Sequence, residues 1–244
     1  MNLVIDLGNT FAKIAVFQNH RVLESFKFLK SEKNKKIEKI FQKYPHIEFS
    51  ILSSVLKDDN SLKKILQKHS VLYYLDHQIK LPFENKYSSP ETLGKDRIAL
   101  AAAAVYAYPK QNCLVIDAGT CVTYDIVNSE SEYLGGGISP GLQMRFQAVH
   151  KFTEKLPLIQ SDSNHLKLIG NSTKESLRSG IYFGFAAEID GMISRYYSEF
   201  KDLTVILTGG DLLFLSKRLK NSIFANSNFL LEGLNYILEY NKTQ

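Results

Sequence analysis

Apolar residues recur along this chain with two periods. Near the start, Leu3, Ile5 and Leu7 alternate with Val4 and Asp6, and the run breaks at Gly8-Asn9-Thr10. Alternation of this kind is the signature of a strand closed by a turn. Read the same way, the first half predicts strands over 2–7, 11–17, 22–28, 49–54 and 71–75. Helical spacing predicts helices near 33–44, 60–68 and 96–107, the last carrying the Ala-rich stretch Ala99 to Ala104, a good helix former. The second half predicts strands over 113–118, 121–127, 132–138 and 203–207, with helices near 140–150, 173–199 and 229–240. In each half strands come first, then helix and strand alternate, which predicts a layered α/β fold. A loop over 77–95 carries Pro82, Pro90 and Gly94; connections of that length are often functional.

The pattern also repeats. Leu3-Val-Ile-Asp-Leu-Gly-Asn-Thr near the start is echoed by Leu114-Val-Ile-Asp-Ala-Gly-Thr. In both, an apolar strand runs into Asp-x-Gly, a hydroxyl residue follows, and a second strand begins. Asp6 and Asp117 lie 111 positions apart, far beyond the roughly 20–50-residue period of a solenoid. The echo predicts two duplicated domains, 1–110 and 111–244.

Composition narrows the function. The 244 residues carry 30 Lys and Arg against 25 Asp and Glu, a net charge of +5. The densest basic stretch, Lys30 to Lys39, contains two Glu residues at helical spacing and reads as a solvated helix face. Without interleaved aromatics or a reading helix, no nucleic-acid partner is expected. No apolar run approaches the roughly 18–20 residues of a membrane span, and no basic leader precedes the first strand. A cytoplasmic protein with no membrane partner is expected. Two cysteines, Cys113 and Cys121, make neither a disulfide framework nor a zinc site, and both are expected as buried thiols.

Four segments carry candidate chemistry. In Asp6-Leu-Gly-Asn-Thr, Gly8 permits a tight turn whose N–H groups can cradle an anion. Asn9 and Thr10 add side-chain donors, and Lys13 can reach a phosphate as a point charge. The Asp6 carboxylate fits beside a phosphate only with magnesium or its water shell between them. Asp117-Ala-Gly-Thr repeats the device, with Asp117 placed to hold a cation and Thr120 a phosphate oxygen. A single such hairpin can be an ordinary turn; the matched pair points to a nucleotide. Thr208-Gly-Gly-Asp, after the strand Val205-Ile-Leu, leaves room for a flat ring or is simply a turn. Gly135-Gly-Gly-Ile-Ser-Pro-Gly is either a strand-end loop or part of the ligand site. In Gly94-Lys-Asp-Arg, Asp96 at a helix N-terminus is either a cap or a general base taking a proton from a substrate hydroxyl. Arg97 could bind an anionic group bidentately or sit in a surface ion pair. Neither a P-loop nor a Rossmann glycine fingerprint occurs.

Taken together, Asp6-Leu-Gly-Asn-Thr with Lys13, Gly94-Lys-Asp-Arg, Asp117-Ala-Gly-Thr, Gly170-Asn-Ser-Thr before Gly180, and Thr208-Gly-Gly-Asp resemble the type III pantothenate kinases. The resemblance runs from Met1 to the Glu232-Gly-Leu segment. Singly, the Asp-x-Gly hairpins occur across the acetate and sugar kinase, Hsp70 and actin superfamily. The resemblance implies duplicated ribonuclease-H-like (actin-like ATPase) domains with an interdomain cleft. It implies transfer of the γ-phosphoryl group of ATP to pantothenate, the first step toward coenzyme A. ATP would lie on Asp6, Leu7, Gly8, Asn9, Thr10, Phe11, Ala12 and Lys13, with Thr120 assisting. Asp96 would be the base, and Tyr87, Gly94, Lys95, Asp96, Arg97 and Thr173 would contact pantothenate. Asp117 would coordinate potassium or ammonium, and Asp6 magnesium, directly or through water. A homodimer is implied, with the 173–199 helix at its interface. Two positions depart from the family pattern. Lys95 stands where a small residue is common, and Ser172 where Asn is usual. The hairpins by themselves leave open another kinase or phosphatase of the superfamily, or a non-enzymatic actin-like or regulatory protein.

Overall fold

The computed structural model of the chain describes residues 1–54, 59–76 and 78–242. Of the predicted segments, residues 55–58 of the first domain, residue 77 of the loop and residues 243 and 244 of the second domain lie outside this set. The chain forms two compact units, Met1–Pro109 with Asn228–Gln244, and Lys110–Ser227.

The first unit contains the strands β1 (Asn2–Leu7), β2 (Phe11–Gln18), β3 (Arg21–Leu29), β4 (Phe49–Ser54), β5 (Val71–Tyr74) and the two-residue β6 (Glu84–Asn85). Between them run α1 (Lys33–Lys43) and α2 (Asn60–His69), and α3 (Lys95–Ala107) follows β6. The main sheet has the order β3-β2-β1-β4-β5. β1 is antiparallel to β2 and parallel to β4. Alternation along β1 sends Leu3, Ile5 and Leu7 to one face, where Ile37, Ile40, Phe41, Leu62 and Leu66 of α1 and α2 cover them. Full burial of each such side chain contributes about 1.5–3 kcal/mol. In α1 only Ile37, Ile40 and Phe41 are buried, so the basic run is the helix's outer face.

The second unit contains β7 (Asn112–Ala118), β8 (Cys121–Val127), β9 (Glu132–Pro140), α4 (Leu142–Lys151), α5 (Thr173–Glu199), β10 (Leu203–Thr208), the one-turn α6 (Leu212–Leu215) and β11 (Phe224–Ala225). Its strands run in the order β11-β10-β7-β8-β9. β7 is antiparallel to β8 and parallel to β10, as β1 is to β2 and β4. The two sheets therefore share one topology. Leu114, Ile116 and Ala118 of β7 pack with Tyr182, Phe185, Ile189 and Ile193 of α5.

The closing helix α7 (Phe229–Lys242) departs from the expected division at 110. It belongs to the first unit, where it lies beside α3 against β1, β2 and β4. The missing side chain of Gly233 makes this possible, since a Cβ there would stand 1.8 Å from the carbonyl oxygen of Ala99. Polar side chains fix the seam. Asn2 Nδ2 donates to Asn235 Oδ1 at 2.7 Å and to Glu239 Oε1 at 2.6 Å, and Asn235 Nδ2 donates to the Asn19 carbonyl at 2.9 Å.

Candidate active site

In the first unit, β1 and β2 meet at a turn closed by the Gly8 N–H donating to the Phe11 carbonyl at 3.0 Å. The end of β3 braces it, with the Lys30 N–H donating to the Thr10 carbonyl at 3.0 Å and Lys30 Nζ to the Asn9 carbonyl at 3.4 Å. Asn9 and Thr10 are exposed, while the side chains of Leu7 and Ala12 are buried in the core. Those two residues therefore offer a ligand only their backbone.

Asp6 lies opposite Lys13 on β2 and Ser53 on β4. Register puts the three side chains on one face of the sheet. Burial pushes the Asp6 carboxyl up to about 6; the Lys13 ammonium opposes this, the Asp96 charge adds to it, and a hydrogen bond from Ser53 opposes it. Lys95, the neighbour of Asp96, donates its ammonium to the carbonyl of Ser54, which pairs with Leu7, so Asp96 lies toward the same end of β1. Ser53 has no counterpart among the expected site residues. The signal for it was the run Ser53-Ser54 ending a strand parallel to β1, but only the pairing register aligns it with Asp6.

Asp96 is exposed on the first turn of α3. It is not the cap; Gly94 is, and it makes no side-chain cap bond. Asp96 Oδ1 accepts the Arg97 N–H at 2.9 Å. A Cβ on Gly94 would stand 2.4 Å from that oxygen, so the glycine clears space for the carboxylate. The Arg97 side chain is not a surface group. It is 5% exposed, with its guanidinium 5.5 Å from the Tyr87 ring centre. Lys95, the departure from the family pattern, donates its ammonium to the Ser54 carbonyl at 3.0 Å.

The second unit builds its own version of the turn. The Gly119 N–H donates to the Cys121 carbonyl at 2.9 Å. Ala118 pairs Val122 where Leu7 pairs Ala12, so this turn is one residue shorter. Two glycine segments close on it. Gly141, at the start of α4, donates its N–H to the Thr120 carbonyl at 3.1 Å, and a Cβ there would stand 2.4 Å from that oxygen. Gly209 has φ +102, a left-handed conformation, and a Cβ would stand 2.4 Å from Asp117 Oδ1. The Asp211 N–H then donates to the Ala118 carbonyl at 3.0 Å, and burial pushes the Asp211 carboxyl up to about 6. Both ambiguous glycine runs thus belong to the Asp117 turn.

Thr173 opens α5. Ser172 is its N-cap and accepts the Glu175 N–H at 3.3 Å, while the Glu175 carboxylate accepts the Asn171 N–H at 3.1 Å. This is close to a capping box, which accounts for Ser172. Thr173 lines a cavity of about 730 Å³ with Leu156, Gly170 and Leu177 among its walls. Cys113 is buried, and burial raises its thiol to about 12. Cys121, expected buried, is half-exposed beside Met144.

Among the described residues no group of three or more His, Cys, Asp or Glu side chains could hold a metal by itself. Magnesium suits a site of that kind, because it is commonly held by one or two carboxylates together with substrate phosphates and water. Asp6 fits, since a carboxylate that burial drives toward protonation recovers its charge beside a cation. At the second turn, the Asp117 carboxylate and neighbouring carbonyls offer oxygen only, the donor chemistry of a hard cation.

Two sheets of one topology, each with an Asp-bearing turn after its first strand, define the duplicated ribonuclease-H-like architecture of the actin-like kinases. Solved structures agree on the fold. A Baf-family protein from Campylobacter jejuni aligns with TM-score 0.62 at 22% identity, over 99% of this chain and 100% of its own. A glucokinase from an Antarctic psychrotroph aligns with TM-score 0.55 at 13% identity, over 98% of each chain. Within that class, the chain belongs to the type III pantothenate kinase family, whose model it matches over residues 2–195. A type III pantothenate kinase of Christiangramia forsetii is 58% identical over 244 residues, covering 100% of both chains. One from Flavobacterium johnsoniae is 48% identical over 240 residues, covering 98% of both.

Proposed function

We propose that this chain transfers the γ-phosphoryl group of ATP to the primary hydroxyl of pantothenate, giving 4'-phosphopantothenate and ADP, the first step toward coenzyme A. Family membership across the chain supports the reaction. The observation that carries the residue roles is the meeting of Asp6, Lys13, Ser53 and Asp96 at one end of β1.

The Gly8–Lys13 turn receives the phosphate tail. Its exposed Asn9 and Thr10 donate to phosphate oxygens, and Lys13 balances their charge. Asp96 accepts the proton of the pantothenate hydroxyl as that oxygen bonds to the γ-phosphorus and the bond to the β–γ bridging oxygen breaks. With Oδ1 held by the Arg97 N–H, Oδ2 takes the proton. Arg97, backed by Tyr87, binds the pantothenate carboxylate, and Gly94 and Lys95 shape that wall. Thr120 binds a phosphate oxygen and Thr173 the pantothenate chain. Asp6 would hold magnesium, directly or through water, and Asp117 potassium or ammonium, and bound cations would supply positive charge that offsets the phosphate oxygens. Orientation of the reactants can contribute about 7–11 kcal/mol, and the base about 10²–10⁴-fold in rate.

We further propose a homodimer with α5 at its interface, and a cytoplasmic location without nucleic-acid or membrane partners. Among the described residues no helix is long and apolar enough to cross a membrane. The test is coupled ADP release with pantothenate as acceptor, with and without potassium, on protein whose mass is measured by sedimentation. Pantothenate-dependent, potassium-stimulated ADP from a dimer is expected. ADP release indifferent to pantothenate, or dependent on a sugar instead, would replace this reading with another kinase of the class.

A further inference from the structure

On β3, Lys27 stands directly opposite Lys13, and Lys13 directly opposite Asp6. Pairing register therefore lays Ser53, Asp6, Lys13 and Lys27 in one row across β4, β1, β2 and β3, on the face away from α1 and α2. Two ammonium groups directly opposite each other on neighbouring strands repel. One half-buried carboxylate, at the far side of Lys13, is the acid in that row.

Among the described residues Lys27 has no carboxylate within ion-pair distance. The nearest acid on its own strand, Glu24, is taken by Lys43 at 2.7 Å and by the Tyr44 hydroxyl at 2.6 Å. Lys27 instead holds its ammonium 4.8 Å from the ring centre of Phe11, a residue of the phosphate-binding turn that is 42% exposed. A cation over an aromatic face keeps its charge while losing few of its donors. Lys30, three residues further, donates to the Asn9 carbonyl of the same turn. Lys27 is exposed and Lys13 half-buried, so the row gathers positive charge that a ligand can reach beside backbone N–H groups at the end of β1.

We propose that Lys27 is a phosphate-binding residue which, with Lys13, grips the β- and γ-phosphoryl oxygens of the nucleotide; this rests on the kinase reading above. The reach is adequate. Two strand spacings of about 4.8 Å put the Lys27 backbone roughly 10 Å from that of Asp6, and an extended lysine covers more than half of that. A ligand in this row must carry several charged oxygens in line, as the tail of a nucleoside di- or triphosphate does. A nucleoside monophosphate lacks the β- and γ-phosphoryl groups assigned to these lysines, and its single phosphate is tied to the ribose.

The experiment is calorimetric titration of the full chain with magnesium-ATP, ADP, AMP and inorganic tripolyphosphate, for the wild type, Lys27→Gln and Lys27→Arg. Loss of one charge-assisted contact corresponds to about tenfold in affinity. Lys27→Gln is expected to weaken ATP, ADP and tripolyphosphate by about that factor and AMP by less than about twofold. Lys27→Arg, which keeps the charge, is expected to restore most of the loss. In turnover assays the KM for ATP rises while the KM for pantothenate holds. Unchanged affinity for ATP and tripolyphosphate overturns the assignment. So does an equal loss for AMP and ATP, or equal damage by Arg and Gln, since either marks a structural role. The titrations need no acceptor. A wild type that fails to phosphorylate pantothenate would remove the kinase reading and still leave the Lys27 result legible on its own.

Discussion

Asp96 stands in the first turn of α3, with one oxygen held by the Arg97 N–H and its flank cleared by Gly94. A carboxylate serving only the helix would be replaced by Asn at little cost, because Asn accepts the same bond. A general base would not, because the amide cannot take the proton. Asp96→Asn is expected to lower turnover at least about 100-fold, with little change in the ATP dissociation constant and unaltered thermal stability; wild-type turnover would remove Asp96 as base. Asp6 gives a second test at this scale. Burial holds its folded pKa at about 6, above the ordinary 3.8 of an aspartate. Between these values the folded state binds more protons than the unfolded. The contribution of Asp6 to stability is therefore fully present below pH about 4 and is lost as pH rises through about 6. Other carboxylates with lowered pKa act in the opposite sense, so the difference between Asp6→Asn and wild type isolates the effect. In chelator, without nucleotide, the variant is expected to gain on the wild type by on the order of 1–2 kcal/mol from pH 4 to 7, allowing for partial exposure. Urea unfolding at several pH values measures it, and a pH-independent difference would refute it. Such a gain would mean that the site carries a charge whose burial disfavours the empty fold.

Among elements, the seam of α3 and α7 depends on one residue. Alanine is favoured over glycine inside a helix by about 1 kcal/mol, so propensity alone makes Gly233→Ala stabilising. The structure reverses that sign. A methyl group 1.8 Å from the Ala99 carbonyl oxygen must drive the helices apart, and overpacking of this kind costs about 1–3 kcal/mol or more. A lowered urea midpoint with unchanged slope is expected; a raised midpoint would show that the helices shift freely. The alanines Ala99 to Ala104 were legible as a helix, but not as a surface cut flat for a neighbouring backbone. Similarly, Asp-x-Gly was legible as a turn, whereas the approach of Gly141 and Gly209 to the second turn was not. Those contacts join residues far apart in sequence, and no local periodicity records them. α6, β6 and β11 escaped because one helical turn and two strand residues give no period to read.

For the whole molecule, the division into units makes a prediction that a linear reading would invert. A chain ending at Ser227 removes part of the first unit rather than the second. Hydrogen exchange on that truncation is expected to show lost protection in β1, β2 and α3, which α7 covers or adjoins, while β7, β8 and α5 stay protected. The opposite pattern would return α7 to the second half. By itself the sequence determined the strands longer than two residues, the helices longer than one turn, the duplication, and which residue types carry the chemistry. These follow from alternation, helical spacing and a repeated motif, all of which are local. Tertiary structure alone decided that Ser53, Asp6, Lys13 and Lys27 form one row, that Arg97 is buried against Tyr87, and that the last helix completes the first unit. Each of these depends on strand register or on helices crossing at close range, where the partner of a residue is set by packing rather than by distance along the chain.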